Sequence, residues 1–110
     1  MNSIIKTAIM NQKQAYDKYV EEAFQLVEDK ILYSANMGMT STLITVDDFS
    51  VNGTSKLKVL FISNTERFIN DLAYHLEIDK DLIKRVYTPN HHSDNQITGI
   101  FINWGEADVE

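Results

Sequence analysis

The stretch IIKTAIMNQKQAYDKYVEEAFQLVEDKILYSA, residues 4–35, closed by Asn36-Met37-Gly38, decides the fold of this chain. Val20, Ala23, Phe24, Val27, Ile31 and Ala35 recur at three- and four-residue intervals, the signature of one helix face. Glu21, Glu22, Gln25, Glu28 and Asp29 fall mostly on the opposite side. Upstream, Ile5, Ala8, Ile9, Gln12, Tyr16 and Tyr19 continue the stripe, with Gln12 as its polar interruption. Ser3 suits the N-cap, and Gly38 sits where a left-handed C-terminal cap belongs. About 32 helical residues at ~1.5 Å each span roughly 48 Å, whereas a compact domain of this length has a radius of gyration near ~13 Å. Such a rod outreaches its own globule. Residues 1–16 are therefore expected to project and to need a partner surface.

Beyond the rod, Thr40 to Val46 is rich in Thr, Ile and Val and reads as a strand. Asp47 to Thr54 reads as a connection, with a turn at Asn52-Gly53. Leu57 to Ile62 contains the continuous apolar run Val59-Leu60-Phe61-Ile62, which suits a central strand pairing antiparallel with the first. Ser63 and Glu66 have capping-box spacing. Phe68, Ile69, Leu72, Ala73 and Leu76 then mark a second helix from Thr65 to Glu77. Asp79 to Tyr87 fits either a short helix capped by Asp79 or a strand from Leu82 to Thr88, and the alternation of Leu82, Lys84 and Val86 favours the strand. Pro89 to Asn95 reads as a loop and Gln96 to Trp104 as the last strand. Residues 105–110 form a short acidic tail that is expected to fray. The expected fold is a single α+β domain over residues 1–110, in the order αββαββ. Its long N-terminal helix and second helix lie on one face of a four-stranded, mostly antiparallel sheet.

Composition bounds the function. The chain has 110 residues, 44% of them hydrophobic, which supports an ordered core. It has no cysteine, which removes disulfides, thiol chemistry and cysteine–zinc sites and fits a cytoplasmic location. Lys6, Asn11, Gln12 and Lys13 interrupt any signal-peptide core, and no stretch approaches the ~18–20 apolar residues of a membrane span. The net charge of −6 repels phosphate backbones, and the best basic cluster, Lys80, Lys84 and Arg85, is diluted by Asp79 and Asp81. Neither a membrane nor a nucleic acid is an expected partner. An acidic surface of this kind more readily meets a basic surface on another protein.

Chemistry-bearing motifs are few. His91, His92 and Asp94 share a loop and could ligate a transition metal, but adjacent histidines usually point apart. Asp47-Asp48 sits at a strand end, where a general acid or a ligand could act, although strand-end aspartates are also common turn formers. His75 reads as a helix-surface residue. Gly38, Gly53, Gly99 and Gly105 are scattered singly, so no phosphate cradle or dinucleotide fingerprint can be built, and no cofactor is expected. There is no nucleophile elbow. Tyr16, Tyr19 and Trp104 suit either core packing or a protein-binding hot spot. Met37 and Met39 flank the cap at Gly38.

The cap Ala35-Asn36-Met37-Gly38, the Thr/Val-rich strand after it and the closing Ile102-Asn103-Trp104 resemble small phage and prophage proteins of Gram-positive bacteria. In those, a long helix ends in an Ala-x-x-Gly cap and enters a strand; a helix follows, and the chain closes on an Ile-x-Trp strand. The apolar run Leu57–Ile62 and the histidine-containing loop depart from that pattern. The resemblance implies no site residues. It does imply a bacterial host cell and, by analogy of size and charge, an inhibitor of a host or defence protein of the anti-CRISPR kind.

The leading expectation is a non-enzymatic protein-binding module that engages a partner, or self-associates, through Ile5, Ile9, Tyr16 and Tyr19, with Trp104 as a further contact. The alternatives are a small metal-binding protein or enzyme using Asp47 and Asp48 with His91 and His92, and an accessory structural phage protein.

Overall fold

The computed structural model describes residues 3–50, 54–90 and 93–106. The order is α1 (Ser3–Asn36), β1 (Ser41–Thr45), α2 (Lys56–Ser63), α3 (Thr65–Leu76), β2 (Ile83–Asn90) and β3 (Ser93–Asn103). Short 3-10 turns follow β1 (Val46–Phe49), precede β2 (Lys80–Leu82) and follow β3 (Trp104–Glu106).

α1 runs 34 residues without glycine or proline, so nothing in its sequence kinks it. At ~1.5 Å per residue it should measure ~51 Å, and the molecule's longest dimension is 52 Å. The radius of gyration, 15.5 Å, exceeds the ~13 Å of a compact chain of this length because the rod overhangs the rest. The helix ends at Gly38, whose φ of +86° lets the Met39 amide donate back to the Ser34 carbonyl at 3.0 Å.

The sheet has three antiparallel strands in the order β1-β3-β2. Thr42 pairs with Ile102, which pairs on its other side with Ile83; Ile44 pairs with Ile100. These five side chains are buried on one face, beneath the helices. Leu43 and Lys84, one residue out of phase, lie exposed on the other. Ser34 Oγ donates to Thr42 Oγ1 at 2.9 Å, so the buried polar groups of α1 and β1 satisfy one another.

The fourth strand is replaced by a helix. Leu57–Ile62 belongs to α2, where Leu57, Leu60 and Phe61 turn inward while Val59 and Ile62 face out. An apolar run of this length fits either state by pattern alone. Here its i, i+3, i+4 spacing (Leu57, Leu60 and Phe61), not alternation, meets the core. α3 then follows after a single residue, Asn64. Ser63 closes α2 instead of capping α3, so the expected capping box with Glu66 does not form. Thr65 Oγ1 donates back to the Phe61 carbonyl at 2.9 Å across that junction.

Around Asp79 both readings hold in part. Asp79 caps the 3-10 turn by accepting from the Asp81 amide at 2.9 Å, and the chain is extended from Ile83. β2 and β3 reach further than expected, to Asn90 and from Ser93, which leaves only residues 91 and 92 between them. The expected loop over Pro89 to Asn95 is thus mostly strand. Trp104 lies beyond β3, opening the last 3-10 turn. The expected turn at Asn52-Gly53 lies outside the described residues.

Four phenylalanines centre the core. Phe68 of α3 meets Phe49 and Phe61 edge-on, with centroids 5.9 and 5.6 Å away, and Phe24 of α1 at 5.7 Å; Phe49 and Phe61 stack at 5.0 Å. All four come from different elements, so this cluster locks α1, α2, α3 and the turn after β1 together.

Candidate protein-binding surface

Residues 3 to 15 of α1 are all exposed. Ile4 is 75% exposed, Ile5 53%, Met10 52% and Ile9 37%. With 3.6 residues per turn, Ile5 and Ile9 lie on the same face as Tyr16, Val20, Ala23 and Val27, which are buried. The core-facing stripe therefore runs off the end of the domain, with no described residue burying it.

Where the stripe meets the domain, a groove of about 510 Å³ opens between α1 and α2. Gln12, Ala15 and Tyr19 form its α1 wall; Lys56, Val59 and Ser63 form its α2 wall; Tyr16 and Leu60 lie between them. Val59 is exposed and aliphatic, on the outward face of α2. The ammonium groups of Lys56 and Lys18 lie 4.6 and 5.3 Å from the Tyr19 ring centroid. The ring is half-buried and partly fixed by these cations, so it offers a pre-ordered aromatic edge.

Tyr16 is not open to a partner. It is 3% exposed, and α3 holds it from above. Its hydroxyl donates to Asp71 Oδ2 at 2.5 Å, and the Arg67 guanidinium carbon sits 3.8 Å from its ring centroid. Arg67 also pairs with Asp17 at 3.4 Å and with Asp71 at 3.7 Å. Burial, then the hydrogen bond to Asp71 and that carboxylate's charge, push the phenol's pKa well above the usual tyrosine range; Arg67 pulls the other way. Tyr16 thus belongs to the floor of the groove and not to its contact surface. Its place at the domain edge carries no sequence signal that separates it from Tyr19.

The other expected residues are dispersed. Trp104 is half-buried and packs against the core at the far end of β3. Asp48 is consumed locally: its Oδ2 accepts from the Thr45 amide at 2.9 Å, its own amide donates to Thr45 Oγ1, and Lys30 lies 3.5 Å away. Asp47 pairs with Lys58 at 3.2 Å. Both aspartates are accounted for by capping and charge pairing, as turn formers at a strand end should be. His91 and His92 lie outside the described residues, and Asp94 is placed only as a residue of β3. Among the described residues no three His, Asp or Glu side chains converge as a metal would require. His75 Nε2 lies 2.7 Å from Glu28 Oε1 and its ring stacks on Phe24 at 4.5 Å, so it ties α3 to α1. Lys80, Lys84 and Arg85 share a shallow depression with Asp81 and Glu66, which dilute their charge.

Lys56 and Val59 were missed by sequence reasoning because their segment reads as a strand. The signal that could have found them is the pair of lysines, Lys56 and Lys58, interleaved with an i, i+3, i+4 apolar triad. No helix among the described residues is long and apolar enough to cross a membrane. No family model, curated protein or solved structure matches this chain significantly.

Proposed function

We propose that this chain is a non-enzymatic protein-binding module whose contact surface is the first half of α1 together with the α1–α2 groove. The observation that carries this reading is the run of thirteen exposed residues, 3 to 15, whose apolar positions Ile5 and Ile9 continue the stripe buried from Tyr16 onward. An uncovered helix face leading into an aliphatic and aromatic groove is the geometry used by proteins that take up a helix. The likeness of the helix cap and of Ile102-Asn103-Trp104 to small phage proteins favours a target in the host cytoplasm, such as a defence protein. An accessory structural role would use the same surface.

Quantitative affinity capture tests the reading. The wild type and an Ile9→Asp/Val59→Asp variant are compared with a Leu43→Asp control on the open face of the sheet. A partner retained by the wild type and the control, and lost with the double variant, supports the reading. Equal retention by all three places the contact surface elsewhere.

A further inference from the structure

Ile5, Ile9, Gln12, Tyr16 and Tyr19 are separated by four, three, four and three residues, the spacing of a heptad seam with Ile5 at d and Ile9 at a. In that frame Lys6 and Lys13 both take position e, beside the seam, while Ala8 and Ala15 take position g. Both lysines are exposed, and neither pairs with a carboxylate among the described residues. Across the groove stands Lys56, close to the Tyr19 ring. The first carboxylate along α1, Asp17, is held by Arg67 at 3.4 Å. A chain of net charge −6 thus presents the exposed apolar positions of this seam, Ile5 and Ile9, between cations.

We infer that the seam and groove take an acidic amphipathic helix of another protein, with its carboxylates set against Lys6 and Lys13 on one flank and Lys56 on the other. This rests on the protein-binding reading and names the class of partner. Flanking charges choose partner and orientation in helix pairs. A second copy of this chain is the poorer occupant. Antiparallel pairing sets e against e, and so lysine against lysine; parallel pairing sets Lys13 against Ala8, which gains no charge pair. Gln12, the one polar seam position, favours a partner that places a polar group opposite it and so fixes register.

Fluorescence anisotropy with the full chain and two labelled synthetic helices tests this. Both helices share one apolar a/d seam; one carries Glu at every e and g position, the other Lys. The Glu helix should bind, weaken as salt rises, and weaken about tenfold against a Lys6→Glu/Lys13→Glu variant. The Lys helix should bind that variant better than the wild type. Equal binding of both helices to the wild type, or an unchanged Glu-helix affinity for the charge-reversed variant, overturns the acidic partner. So does absence of Glu-helix binding at millimolar concentration, or a wild-type dimer in sedimentation at tens of micromolar. If both helices bind alike and Ile9→Asp abolishes both, the surface survives and only the partner class falls. If no helix binds and capture also fails to respond to Ile9→Asp/Val59→Asp, the protein-binding reading falls with it.

Discussion

Tyr16, at the point where α1 passes from solvent into the core, donates its hydroxyl to Oδ2 of Asp71 on α3 at 2.5 Å. Its ring is buried and covered by Arg67, so one side chain anchors the overhanging rod by packing, hydrogen bond and cation contact at once. Tyr16→Phe keeps the packing and strips Asp71 of its donor. It should cost ~1–2 kcal/mol in urea unfolding.

The same pair sets a pH dependence. The Tyr16 phenol is raised above its unfolded value of about 10. Its contribution to stability is therefore fully present below pH ~10 and is lost as pH rises toward and through the folded value. In alkaline titration followed at 295 nm, one tyrosine of the five should ionise late, and Tyr16→Phe should remove that phase. A Tyr16→Phe protein that keeps the late phase would show that another ring is the shielded one.

α1 and α3 end alike, one with Gly38 at φ +86° and the other with Glu77 at φ +57°. In both, an amide just beyond the end returns to a carbonyl of the last turn: Met39 to Ser34 at 3.0 Å, Ile78 to Ala73 at 3.1 Å. A side chain is disfavoured in that conformation. Glu77→Gly should raise stability by ~0.5–1 kcal/mol, and Gly38→Ala should lower it by about 1 kcal/mol. Thermal unfolding of the two single variants reads both signs.

Gly99 on β3 is constrained by space. A Cβ there would meet the Ile44 carbonyl oxygen at 2.4 Å and Thr45 Cα at 3.0 Å, both backbone atoms of the neighbouring strand. Neither can swing aside, so Gly99→Ala should cost ~3 kcal/mol. An effect under ~0.5 kcal/mol, the size seen at open surface positions, would mean that β1 and β3 lie further apart than described.

Phe68 touches the rings of Phe24, Phe49 and Phe61, so Phe68→Ala opens a cavity where four elements meet and should cost ~4 kcal/mol. Phe24→Ala, at the edge of the same cluster, should cost ~3 kcal/mol. Ile9→Asp, on the exposed arm, should stay within ~0.5 kcal/mol. Chemical denaturation of the three separates the core stripe of α1 from its uncovered continuation.

The long helix, its end at Gly38, the first strand and the second helix were legible because each carries a period or a cap that competes with no other reading. The face of α1 was legible for the same reason: Val20, Ala23, Phe24 and Val27 repeat over several turns. Leu57–Ile62 was not, because six residues are too few for helical and extended periods to diverge, and burial on one side decided it. Ser63 shows the limit of cap signals. Its spacing to Glu66 is right, but a preceding helix already owns the residue. The site followed the fold. Ile5, Ile9 and Tyr19 could be placed on the rod from sequence, whereas Lys56 and Val59 emerged only with the misread segment, and Tyr16 was lost to Asp71, fifty-five residues away.

An unbroken α1 also settles geometry at a distance. Ile5 and Phe24 lie on one continuous helix with no break between them, nineteen residues or ~28 Å apart. Anything seated on the tip therefore sits a set distance from the phenylalanines, joined to them by one continuous run of helical hydrogen bonds.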